Sequence, residues 1–237
     1  MTPNLSIRSF TNDQYILDKV FYANFYRIKG FKDAVEKPVV LDIGAHCGYF
    51  TFAALALGAK KVFSFEPFLD NYKQLIKNVN DERLGEVVSY QMGIYTTDVR
   101  LTFGYPELQK GSFFDFANIG ENFNVSNQRV FAAPCLSLDN ALQNYIAEPI
   151  DILKICIGYA EMSVLLASKL IQTQVKSICG EAEIDLANQA QFKVAMANKG
   201  FIYGDYFPLE AEEDNGKVLF QFSKSPLEET FEQKGHQ

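Results

Sequence analysis

Residues 39–67 read VVLDIGAHCGYFTFAALALGAKKVFSFEP, and this stretch decides the fold. Val39, Val40, Leu41 and Ile43 form a short, nearly unbroken apolar run between Pro38 and Gly44, the pattern of a parallel strand covered on both faces. Tyr49 to Leu57 is dense in apolar residues and alanine and is stopped by Gly58, which predicts a buried helix. Lys61 to Phe65 alternates into a second strand that ends at Glu66-Pro67. Strand, helix and strand make a right-handed βαβ unit, and ligands on such sheets bind beyond the carboxyl ends of the strands. Asp42, Gly44, Gly48 and Glu66 fall at those ends.

The glycine spacing sorts the ligands. A dinucleotide fingerprint has a middle glycine that lets the backbone approach a pyrophosphate, and here Gly44 and Gly48 are separated by Ala45, His46 and Cys47. A P-loop is excluded because no Gly-Lys-Ser/Thr follows the turn. What remains is D-x-G-x-x-x-G with an acidic residue 24 positions beyond Asp42, which suits a nucleoside carrying no phosphate, and the expected ligand is S-adenosylmethionine. Glu66, acceptor-only when ionised, is expected to take both ribose hydroxyls. Asp42 and the turn backbone are expected to face the ammonium end of the methionine moiety, with His46 near its carboxylate. Tyr49, Phe50 and Pro67 flank these positions and complete this part of the cofactor set.

Composition narrows the function. The chain of 237 residues is 48% hydrophobic, enough for one large domain with a substantial core. A net charge of −7 argues against a nucleic-acid surface, because phosphate contacts need clustered Lys and Arg, and the one basic pair is Lys60-Lys61. A small-molecule acceptor, no nucleic acid and no membrane are therefore the expected partner profile. Nothing approaches eighteen uninterrupted apolar residues, and a soluble cytoplasmic protein is expected. The four cysteines show no C-x-x-C and no histidine at metal spacing, so buried free thiols and no metal are expected.

Residues 1–36 form an expected N-terminal extension. Its aromatic cluster (Tyr15, Phe21, Tyr22, Phe25, Tyr26) predicts a helix from about Thr11 to Lys29, packed on the sheet edge or serving as a lid or homodimer contact. Residues 37–223 form the main domain. After Glu66 a helix carries Leu69, Tyr72, Leu75, Ile76 and Val79, and a third strand over Val87–Tyr90 ends at Gln91 and Met92, expected beside the adenine. From Arg100 to Cys135 short alternating pieces predict a β-rich insertion, in which Ser112, Phe113, Phe114 and Asp115 are candidates for the acceptor border or for turns. Ser137 caps a short helix, Ile150–Ile157 is a fourth parallel strand and Tyr159–Ile171 a helix with Met162, Leu165, Leu166 and Leu170 inward. Val175–Cys179 is a fifth strand, and Phe201–Phe207 and Lys217–Phe222 form a closing hairpin. The fold class is thus α/β, a doubly wound, mostly parallel seven-stranded sheet of the class I methyltransferase type. Residues 224–237 are expected to be a frayed tail.

From Val39 to Phe222 the chain resembles the FkbM-type methyltransferases, on LDIGAHCGYFTFAAL, VFSFEPFLDNYKQLIKNV, SLDNAL and IDILKICIGYAEMSVL. The resemblance implies an S-adenosylmethionine-dependent enzyme that methylates hydroxyl groups on sugars or similar metabolites. Where the family typically reads L-K-I-D-V/I-E-G-A-E, this chain has Cys156, Gly158 and Tyr159 in place of Asp, Glu and Gly. Lys154 and Glu161 match, and the catalytic candidates are Glu161, Lys154 and Cys156. Glu161 is the expected base, and Cys156 is not expected to be a nucleophile, since no histidine stands near it in sequence. Loss of both acceptor-side carboxylates leaves a second reading, a non-catalytic protein that binds S-adenosylmethionine or S-adenosylhomocysteine.

Overall fold

The computed structural model describes residues 5–9, 11–31, 36–81, 86–106, 128–146, 148–209 and 217–232. The chain starts with α1 (Asp13–Leu17), which runs directly into a π-helical turn over Asp18–Tyr22. The opening βαβ unit follows as β1 (Val39–Ile43), α2 (Tyr49–Leu57) and β2 (Lys61–Phe65). Then come α3 (Leu69–Asp81), β3 (Glu86–Tyr90), β4 (Gly93–Tyr95), β5 (Val99–Pro106), β6 (Gln128–Ser137) and α4 (Leu138–Asn140). The second half consists of β7 (Ile150–Ile155), α5 (Glu161–Ala167), α6 (Ile171–Gln174), β8 (Val175–Glu183), α7 (Leu186–Asn198), β9 (Tyr203–Pro208) and β10 (Lys217–Ser223).

Seven strands form one sheet in the order β3-β2-β1-β7-β8-β10-β9, with β10 antiparallel to both its neighbours and β3, β2, β1, β7 and β8 mutually parallel. The expected doubly wound sheet with its closing antiparallel insertion is therefore present. All five residues of β1 are buried because both faces of the sheet are covered. Alternation splits the core: Leu41, Ile43, Leu153 and Ile155 pack on the face shared with α5 and α7, while Val40, Ile152 and Leu219 pack beneath α2 and the N-terminal segment. On that second face the pairing sets Ser64, Asp42, Lys154, Cys179 and Gln221 side by side across five strands, a buried row of mostly polar residues under an otherwise apolar layer. The β-rich insertion is a second sheet, β4-β6-β5, in which Phe103 stacks on Phe131 at 4.9 Å. Ser112, Phe113, Phe114 and Asp115 lie outside the described residues.

Three expectations need correction. The N-terminal helix does not reach Lys29: Asn24 takes a left-handed conformation (φ 46°), and its side-chain amide both donates to the Ile28 carbonyl and accepts from the Ile28 amide, closing a tight turn instead. The helix expected over Tyr159–Ile171 begins only at Glu161 and breaks at Ser168, where the Asp139 carboxylate captures the amides of Lys169 and Leu170. Leu166, expected inward, is exposed as a result. The segment after Ser223 is not frayed up to residue 232: Phe231 is fully buried and bridges Ile28, and Lys224 donates to the Gln172 carbonyl.

Candidate active site

The strand ends converge on one open cavity. Its floor is the row Glu66, Gly44 and Cys156, each one residue past its strand, with Glu181 of β8 one residue beyond the pairing of β8 with β7. Gly44 must be glycine. Its φ is +75°, and an added Cβ would lie 2.0 Å from the Cys156 carbonyl oxygen. The turn can therefore pass tightly over the end of β7. Gly48 (φ +85°) has a different duty, since a Cβ there would press on Leu75 of α3 at 3.2 Å; it serves helix packing and does not line the cavity.

Glu66 is almost fully buried at the cavity wall. Its Oε2 accepts from the His46 amide at 2.8 Å, and Oε1 accepts from the Phe68 amide at 3.0 Å and the Asn71 side chain at 3.4 Å. Burial pushes this carboxyl up to about 7, with those three donors pulling in the opposite direction. An ionised carboxylate offers about four lone-pair directions, so capacity remains for a ligand's hydroxyls.

Asp42 departs from expectation. Its side chain is fully buried and points under the turn, where Oδ1 pairs with Lys154 Nζ at 3.0 Å and Oδ2 accepts from Thr51 at 2.8 Å. Lys154 also donates to the Gly44 carbonyl at 2.7 Å and sits below the rings of Tyr26 and Phe50. Burial works against the Lys154 charge, yet Asp42 more than offsets it and holds the ammonium above its usual pKa. Asp42 thus occupies Lys154 and does not face the cavity, because strand alternation turned it toward its in-register neighbour.

Gln91 and Met92, expected beside the adenine, do not line the cavity either. Gln91 is exposed and Met92 packs on the core, while Gly93, Ile94 and Tyr95 of β4 line the cavity, backed by Leu101, Phe103 and Phe131. His46, Tyr49, Phe50 and Pro67 do line it. His46 adopts φ +53° and places Nε2 3.4 Å from Arg8 Nη2. Asp13, His46 and Cys47 bring ligand-type atoms within 4.8 Å of one another, but the Asp13 carboxylate is clamped by Arg8 (Nε to Oδ2 2.8 Å, Nη2 to Oδ1 2.7 Å), so this cluster is organised about a guanidinium.

The N-terminal segment closes the cavity's near side with Lys19, Phe25 and Tyr26, of which only the aromatic clustering was visible in sequence. The far side is the turn after β7. Cys156 is a free thiol that burial, aided by Glu181, pushes up to about 12, which leaves it a poor nucleophile. Gly158 (φ 70°) and Tyr159 (φ 65°) are both left-handed, so tyrosine stands at a position that glycine fills without strain. Glu161 is buried and turned back on its own loop: Oε1 accepts from the amides of Ile157 at 2.6 Å and Gly158 at 2.8 Å. Burial raises its pKa against those two donors.

A mostly parallel seven-stranded sheet with one antiparallel strand inserted near its edge, and a cavity across its strand ends with an acid after β2, defines a class I methyltransferase. The chain belongs to the FkbM methyltransferase domain family, whose sequence model matches residues 42–203. No curated protein sequence matches. Among solved structures it is similar to the METTL16 methyltransferase domain (13% identity, TM-score 0.51, covering 86% of this chain and 66% of that one). It is similar also to M. capricolum TrmK in complex with S-adenosylhomocysteine (12%, TM-score 0.50, 92% and 72%). A third likeness is to an rRNA methylase from Streptococcus thermophilus (12%, TM-score 0.48, 86% and 93%). At these identities the likeness is one of fold.

S-adenosylmethionine is the cofactor of this family, and the residues present fit it: the buried Glu66 faces the cavity with acceptor capacity to spare, beside a glycine turn whose backbone borders the same space. The expectation of a small-molecule acceptor with nucleic acid excluded is overturned. The neighbours of this fold include TrmK and the METTL16 methyltransferase domain, which runs against that exclusion, and an acidic net charge does not divide one class of acceptor from the other. Among the described residues no helix is long and apolar enough to cross a membrane.

Proposed function

We propose that this chain transfers a methyl group from S-adenosylmethionine to a hydroxyl oxygen, with Glu66 on the ribose and the acceptor entering beside the turn after β7. The observation that carries this reading is the single cavity joining Glu66 and Gly44 to Cys156, Tyr159 and Glu181. When bound, the cofactor supplies an already activated methyl group, so the protein's part is alignment and exclusion of water. Tyr26, Phe50 and Phe65 give the cavity apolar walls suited to that task. In this reading Lys154 and Asp42 do not meet the substrate. They pull the Gly44 turn onto the sheet, and Glu161 braces the loop over 157–161 in the same way.

A second reading, a cofactor-binding protein without transferase activity, is favoured by one observation: the expected base, Glu161, already spends an oxygen on two backbone amides. The test is calorimetric titration of wild type and Glu66→Ala with S-adenosylmethionine, followed by label transfer from tritiated donor to a panel of hydroxylated sugars and RNA. Glu66→Ala is expected to bind more weakly by about 1.5–3 kcal/mol. Unchanged affinity contradicts the ribose assignment, and tight binding with no transfer to any acceptor supports the second reading.

A further inference from the structure

Both carboxylates expected after β7 are absent, yet the acceptor end of the cavity is not without acids. β7 and β8 run parallel with Ile155 beside Gly180, and on its other side the Cys156 amide extends the ladder of β7 with β1 by donating to the Ile43 carbonyl. One step further along, Cys156 and Glu181 are therefore lateral neighbours on one face of the sheet. Gly180 permits this closeness, since a Cβ there would stand 2.4 Å from the Ile155 carbonyl oxygen. The thiol at 156 leaves room beside Glu181 without adding a second negative charge.

Glu161, Glu181 and Glu183 all line the cavity; Glu161 is buried but tied to its own loop by two backbone amides and Glu183 is exposed, whereas Glu181 is buried and bound by no backbone amide among the described residues. Two ammonium groups offset the burial of its charge: Lys19 Nζ lies 3.2 Å from Oε2 and Lys217 Nζ 3.7 Å from Oε1. They come from the N-terminal segment and from the start of β10, so the carboxylate is held from two sides with lone pairs left for a third partner.

Building on the methyltransferase reading, we infer that Glu181, one strand over from the family's usual position, is the carboxylate that receives the acceptor's proton. The acceptor oxygen attacks the methyl carbon, the carbon–sulfur bond breaks with its electron pair going to sulfur, and the hydroxyl proton passes to Glu181. Glu181 is then a catalytic residue and Glu161 a positioning one.

The test compares wild type, Glu181→Gln and Glu181→Asp in two measurements: titration with S-adenosylhomocysteine, and initial rates of label transfer from tritiated S-adenosylmethionine to sugars, hydroxylated metabolites and RNA. The expected result is cofactor affinity within about threefold of wild type for both variants. Transfer by Glu181→Gln is expected to fall at least roughly tenfold, the low side of general-base effects, with part of the rate restored in Glu181→Asp. Wild-type rates in Glu181→Gln, or a wild type that binds S-adenosylhomocysteine and transfers nothing, overturn the inference. A wild type that fails to bind S-adenosylhomocysteine overturns the underlying cofactor reading, and the titration tells the two failures apart.

Discussion

In the proposed ribose role, Glu66 joins stability to binding in one buried group. Its carboxyl is raised to about 7 in the folded protein, against an ordinary value near 4.5. Between those values the native state holds a proton that the unfolded chain has lost, so stability from this group is fully present below about pH 4.5 and is lost as pH rises through 7. The loss amounts to about 3 kcal/mol. The form that accepts from both ribose hydroxyls is the ionised one, so affinity should follow the opposite trend. S-adenosylhomocysteine is expected to bind up to roughly tenfold more tightly at pH 8 than at pH 6. Titration of wild type and Glu66→Gln at both values checks this, with a flat profile expected for the variant; equal profiles would remove Glu66 from the ribose. Glu66 could be found in sequence because a strand end fixes its position to within one residue. Glu181 falls in the stretch 180–183 that marks the end of the fifth strand in the sequence, but the strand runs on to Glu183 and only the register with β7 brings Glu181 beside Cys156.

The strands β1 and β7 are joined by more than their backbone ladder. Asp42 and Lys154 are fully or nearly fully buried, and removing one partner leaves an uncompensated charge in the core. Lys154→Met is expected to destabilise the fold by about 3–5 kcal/mol, and the double variant Asp42→Asn/Lys154→Met is expected to recover a large part of that loss, as read by chemical denaturation. Additive losses would show that the pair is not coupled. This ion pair also explains the misplacement of Asp42 in the sequence reading. Alternation tells which residues share a face, but not which of two covered faces belongs to the ligand, and the partner stands 112 residues away. The same limit displaced the adenine-side residues. The third strand was located correctly, yet the chain resumes at once as β4, and Gly93 to Tyr95 carry the wall that Gln91 and Met92 were expected to form.

Across the whole molecule, the sheet order was legible because each parallel strand is a short apolar run punctuated by turn residues. The cavity's covering was not. It is assembled from the N-terminal segment and the insertion, and the N-terminal segment reaches the sheet across 162 residues without a local period in the pair of Lys19 with Glu181. Arg8 illustrates the result: it clamps Asp13, donates to Asn71, and through Asn71 reaches the carboxylate of Glu66. In the proposed function the cofactor lies across the ends of β1 and β2 with its reactive sulfur directed toward the end of β7. A crystal structure of the complex with S-adenosylhomocysteine tests it most directly. Both ribose hydroxyls are expected within hydrogen-bond distance of the Glu66 carboxylate, with the sulfur facing the turn of Cys156 to Tyr159. A ligand bound outside this cavity, or a ribose that leaves Glu66 bonded only to His46, Phe68 and Asn71, would contradict it.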